Sequence, residues 1–238
     1  MLGRRTRHPG SVAEPHQNPT SSPEDALTRR WADLLTELGL GERADAEATG
    51  RDLIERYGED HRHYHGQRHL LWVLEALDEL TAPAPPAALI RLAAWYHDAI
   101  YRGVAGDDES LSAELAKRQL TDLGLDRSDA DHVAAMVAAT ARHFDPTAEH
   151  DPDTALLLDA DLSILGSDPA TYDTYCEGVR AEHPDVSDDR FRAGRLHVIE
   201  SLLARERLFS TERGHDRFEK AARANLIRER HRLADATG

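Results

Sequence analysis

The chain has 238 residues, enough for one large domain. Its formal charge of −15 argues against a general nucleic-acid binder, although a bound cation and local arginines still allow a small phosphorylated molecule. No apolar run reaches the roughly 20 residues that span a bilayer, and the single cysteine, Cys176, excludes an internal disulfide; a cytoplasmic, membrane-free protein is expected.

Residues 1–22 are rich in Pro, Ser, Gly and Gln and carry basic charge without an apolar stretch. They read as a disordered tail rather than a signal peptide. Order is expected from Ser22, a helix cap with Pro23 at the first helical position and Glu24 and Asp25 in the first turn. Trp31, Leu34, Leu35 and Leu38 give that helix an apolar stripe, and Gly39 is a stop. A second helix is expected over about 44–57. A polar, histidine-dense segment, GEDHRHYHGQRH, precedes an amphipathic helix over about 67–80. TAPAPP forms a turn into a helix carrying LIRLAAWYHDAIY, followed by a loop near Gly103–Asp108. Further helices are expected near 109–123, 128–143, 154–165, 169–182, 188–206 and 215–233. Ala and Leu are abundant and no period-two alternation is sustained, so one all-α domain over 23–238 is the simplest reading.

Several of these helices break their own apolar face with a polar residue. His69 extends the Val73, Leu77, Leu80 stripe; Ile90, Ala93 and Ala94 lead to His97, with Asp98 adjacent; Val133, Met136, Val137 and Thr140 lead to His143. Asp161 sits among Leu157, Leu158, Ile164 and Leu165. A lone buried histidine is commonly a hydrogen-bonded core residue, but an unpaired buried carboxylate costs several kcal/mol or more. Convergence on a cation resolves all the breaks together. Two imidazoles and two carboxylates suit Mn, Fe, Ni, Co, Zn or Mg better than a closed structural zinc site. Adjacent His97 and Asp98 diverge by about 100° on a helix, so both reach one ion only if it lies between their directions.

The ordered H…HD…D pattern resembles the HD superfamily of metal-dependent phosphohydrolases. RHYHGQRHL, AAWYHDAIY, DDESLSAELA, ATARH, LDADLSILG, YDTYCEGVRAEH, FRAGR and ARANL are similar, in order, to motifs of its HD-domain phosphohydrolase family, over roughly 23–233. The resemblance implies a single HD-type helical bundle and a metal held by His69, His97, Asp98 and Asp161. It further implies hydrolysis of a phosphate ester or anhydride by metal-activated water, oriented by Asp98. Gly66 and Asp108-Glu109 stand where the family commonly has Asn and Asn-Glu.

Within that frame Glu109 is a candidate acid/base, with the alternative of serving a helix N-terminus. His65 and His143 are candidates for substrate phosphate; the alternatives are a partner that orients a metal ligand or a surface position for His65, and a second-metal or buried hydrogen-bonding role for His143. Arg62 and Arg142 are candidates to offset phosphate charge, against a solvated surface. His61 and His63 are expected at the surface. Tyr172, Tyr175, Arg180, Glu182 and Arg195 are expected to form a bracing network, with Phe191 and Leu202 in the core. Two rivals stand: a di-iron oxygenase, which would recruit His132 and His143, and a non-catalytic metabolite sensor.

Overall fold

The computed structural model describes residues 22–84, 87–104, 106–143 and 151–235. The expected tail therefore lies outside the described residues, apart from Ser22. The described residues form an all-α bundle: α1 Pro23–Glu37, α2 Ala46–Arg56, α3 Gln67–Thr81, α4 Ala88–Tyr96, α5 Asp107–Asp122, α6 Arg127–Ala139, α7 Pro152–Leu162, α8 Pro169–Ala181, α9 Asp188–Leu203 and α10 Glu212–Asp235.

Local chemistry accounts for the starts of several helices. Ser22 and Asp25 exchange side-chain and backbone hydrogen bonds at the head of α1, with Pro23 needing no donor there. Asp151 and Asp168 accept N–H groups of the first turns of α7 and α8 in the same way. Helix α1 then buries Leu27, Trp31, Leu34 and Leu35, as its stripe requires.

The Trp31 ring meets Trp95 edge-on at 5.0 Å and donates its N–H to the Ala46 carbonyl. Gly50 lets α2 approach it: a Cβ there would lie 2.3 Å from Trp31 Cδ1. Gly50→Ala is expected to cost about 1–3 kcal/mol by overpacking, read as a lower melting temperature. An unchanged melting temperature would mean that the Trp31–Gly50 contact is not tight.

Helices α3, α4, α6 and α7 pack on one another at the centre, α1 covers α3 and α4, and α5 covers α4 and α6. One continuous apolar core runs through them. Helix α10 packs on a tight 3-10 turn over Ser163–Gly166. The carboxylate of Asp159, 1% exposed on α7, ties that region down by accepting N–H from Ser210 and Thr211.

Three helices end earlier than their apolar pattern predicts. Helix α6 stops at Ala139 and α7 at Leu162, each continuing as a 3-10 turn. Helix α4 stops at Tyr96, so His97 and Asp98 stand just beyond it rather than on it. The cause is tertiary. The Arg62 guanidinium, its side chain fully buried, donates to the carbonyls of Asp98, Ala99 and His65, while Ser112 Oγ accepts the Ile100 N–H. Those groups can leave helical pairing because side chains from elsewhere satisfy them.

Candidate metal centre

Four side chains converge where α3, α4 and α7 meet. His69 comes from the first turn of α3, His97 and Asp98 from the turn after α4, and Asp161 from the last turn of α7. The Nε2 atoms of His69 and His97 lie 2.9 Å apart. Asp98 Oδ2 is 3.4 Å from the first and 3.2 Å from the second. Asp161 Oδ1 is 3.2 Å and 3.7 Å from the same two atoms. His69, His97 and Asp98 offer ligand atoms all within 4.8 Å of one another and could hold a metal ion.

The imidazoles are 1% exposed, and the carboxylates 18%. Two imidazole nitrogens at 2.9 Å attract only if something positive lies between them, a proton or a cation. Donor atoms bound to one ion at about 2.0–2.2 Å lie about 3.0–3.6 Å apart when adjacent. Three of the five donor separations fall inside that range, and the other two, 2.9 Å and 3.7 Å, lie just outside its ends. The donor set fits a divalent metal.

Without an ion, protons bind the cluster together. Burial alone would lower the His69 pKa, but hydrogen bonds and charge from Asp161 and Asp98 raise it to about 9. His97 is raised too, against the pull of its own burial, chiefly by the Asp98 charge. Burial pushes the Asp98 and Asp161 carboxyls up, yet the neighbouring histidines hold both well below the usual range.

The surroundings orient these groups unequally. His97 Nδ1 is 2.7 Å from the Ala94 carbonyl, which requires the proton there and directs the Nε2 lone pair to the cluster. Tyr57 Oη accepts the Asp98 backbone N–H at 3.2 Å. His143 places Nε2 3.0 Å from Asp161 Oδ2, with Nδ1 against the Thr140 carbonyl. The buried Nδ1 of His69 has no hydrogen-bond partner among the described residues, and its ring packs on Tyr64 at 4.8 Å.

A cleft of about 440 Å³ opens over Asp98 and Asp161. His65, Glu109 and His143 are among the residues that line it. Glu109 Oε2 also accepts the Gly106 N–H at 2.5 Å, so it serves the head of α5 as well.

Arg62 is placed differently from its expected role. It lies between the Tyr57 and Tyr101 rings, with its donors committed to Glu59 and three carbonyls, and braces the His-Asp turn. Arg142 is exposed and is not among the described residues lining the cleft. His132 belongs to a second group with Asp151 and Asp153, its Nε2 3.3 Å from Asp153.

The expected bracing network divides into three. Tyr172 and Arg195 are joined through Glu229, which the sequence reading did not single out, and Arg195 also donates to the Tyr175 hydroxyl. Arg180 instead holds the turn after α8 through Asp188 and two carbonyls. Glu182 belongs to the site: Oε1 accepts the N–H groups of His63, Tyr64 and His65, and Oε2 is 2.7 Å from His65 Nδ1 and accepts the Tyr101 hydroxyl. Leu202 is buried, whereas Phe191 is half-buried and stacks under Arg180. Tyr64 and Tyr101 were also missed; they stand in the same histidine-dense segment and HD motif, but aromatic residues there carry no spacing signal of their own.

No family model, curated protein or solved structure matches this chain. What fold and site define together is a class: an all-α bundle whose buried His-Asp group could hold a metal ion. No helix among the described residues is long and apolar enough to cross a membrane.

Proposed function

We propose that this chain is a metal-dependent phosphohydrolase of the HD type, acting on a small phosphorylated molecule. The observation that carries the reading is the meeting of His69, His97, Asp98 and Asp161 at the floor of a cleft. A divalent cation there would polarise a phosphoryl oxygen and bring a bound water towards neutral pKa.

The chain's own residues have distinct parts to play. Asp98 orients the attacking water, and His143 steadies Asp161 through its second carboxylate oxygen. The Glu182 carboxylate only accepts, so the His65 proton sits at Nδ1 and Nε2 is left as the ring's polar atom towards the cleft. Glu109, on the cleft wall, is the acid/base candidate for the leaving oxygen.

The test is metal analysis of the purified full chain, followed by a panel of nucleotides and sugar phosphates assayed with Mn, Fe, Ni, Co, Zn and Mg. About one metal per chain and phosphate release that stops on chelation are expected. Metal-loaded protein that hydrolyses nothing on the panel, yet is stabilised by a ligand, would favour a sensor. Two irons per chain and oxygen consumption would favour the oxygenase.

A further inference from the structure

Resting on the hydrolase reading, we infer that the site takes a phosphomonoester whose organic part presents an apolar or aromatic face, and disfavours polyphosphates.

The first reason is charge. Asp98, Asp108, Glu109 and Asp161 all line the cleft. The guanidinium among the described lining residues, Arg195, is held by both oxygens of Glu229 and by Tyr175. Arg62 is committed to Glu59 and three carbonyls, Arg102 pairs through Nε with Asp108, and Arg142 is exposed outside the lining. The segment 144–150, outside the described residues, contains no lysine or arginine in sequence.

Arg102 pairs with Asp108, a divalent cation would offset Asp98 and Asp161, and one phosphate can bind that cation directly. Every further phosphate would face Glu109 without the Lys or Arg clamp that polyphosphate sites use. His65 and His183 offer imidazole nitrogens to the oxygens of one phosphoryl group, while His143 is held by Asp161 and the Thr140 carbonyl.

The second reason is the apolar share of the lining. Val104, Leu162, Ile164, Leu165, Val179 and Val198 line the cleft together with the rings of Tyr64, Tyr101 and Tyr175. Val104, 46% exposed, stands beside Asp108, to which its N–H donates. At about 440 Å³ the space is in the lower part of the range for small-molecule pockets. An apolar or aromatic group on the ester can bury against these side chains; a chain of phosphates cannot.

The test is titration calorimetry on the Mn-loaded full chain, which includes Arg4, Arg5 and Arg7 and so counts any cation they bring. The probes are phenylphosphonate, methylphosphonate and methylenediphosphonate, with metal content measured after each run to exclude stripping. Phenylphosphonate is expected to bind severalfold tighter than methylphosphonate, and about tenfold or more tighter than methylenediphosphonate. Val104→Lys, at an exposed position, is expected to narrow the second gap by about threefold or more.

Methylenediphosphonate binding as tightly as phenylphosphonate, with metal retained, would overturn the inference. So would a Val104→Lys variant with both affinities unchanged. The two readings fail separately. The expected ranking without turnover of any ester removes the hydrolase and keeps the ligand class. Faster hydrolysis of a nucleoside triphosphate than of its monophosphate keeps the hydrolase and removes the ligand class.

Discussion

Asp98→Ala is expected to weaken metal binding more than about 100-fold, beyond the 10–100-fold typical of losing an outer partner, and to abolish hydrolysis with it. Asp98 Oδ2 lies 3.2–3.4 Å from both imidazole nitrogens, and its carboxyl is held well below its ordinary range, so it is charged at any physiological pH. Among the described residues, truncation leaves two buried imidazoles facing each other with Asp161 as the remaining carboxylate against them. The fold should survive, because the turn is held through the Asp98 backbone by Arg62 and Tyr57 rather than through the side chain. Metal titration and elemental analysis check this, with Asp153→Ala as the companion variant for the second His-Asp group. Stoichiometric, wild-type-like metal in Asp98→Ala would sink the site. Loss confined to Asp153→Ala would move it to the other group.

Glu182 governs the other large effect, on stability. Its side chain is 1% exposed, and burial alone would raise its pKa. The hydrogen bond and charge of His65, with the N–H groups of Tyr64 and His65, outweigh burial and bring it down to about 2. A depressed folded pKa stabilises the folded state above the unfolded value near 4.5, and this contribution is lost as pH falls from there towards about 2. Its size is about 3 kcal/mol.

Glu182→Ala is expected to cost about 3 kcal/mol at neutral pH, since three backbone N–H groups lose their acceptor. Glu182→Gln keeps an acceptor oxygen but not the charge, so its stability should fall less steeply than wild type between pH 4.5 and 3. Denaturant unfolding across that range measures both. Parallel wild-type and Gln curves would show that the carboxylate charge is not what holds the 63–65 segment.

Much of the fold is legible in the chain because its cues are local. Ser22-Pro23, Asp151-Pro152 and Asp168-Pro169 announce helix starts, and the Trp31–Leu35 and Val73–Leu80 stripes fix which faces are buried. The site is legible for a related reason. His69 and Asp161 stand out only because they interrupt apolar stripes, where a polar group needs a partner. The same reasoning passed over Asp159, two residues before Asp161 and almost fully buried. Its partners are two backbone N–H groups and the Thr211 hydroxyl, about 50 residues away, which no local pattern announces.

Helix ends and the allegiance of charged groups were not legible. LIRLAAWYHDAIY reads as helix to its last residue, and nothing in it says that Arg62, 36 residues earlier, will take the Asp98 carbonyl and end α4 at Tyr96. Arg62 itself looks like any exposed arginine until its donors are seen to be used on carbonyls. Glu182 looks like a helix-end carboxylate until it reaches the histidine segment 117–119 residues earlier in the chain.

By itself, then, the sequence determined an all-α chain and nominated four residues for one cluster, because propensity, capping and stripe periodicity act within a few turns of chain. Only the tertiary structure decided that His97 and Asp98 leave the helix, that Arg62 braces and Glu182 joins the site, and that acidic and apolar side chains line one cleft above them. Those outcomes depend on which distant donor meets which acceptor once the helices pack.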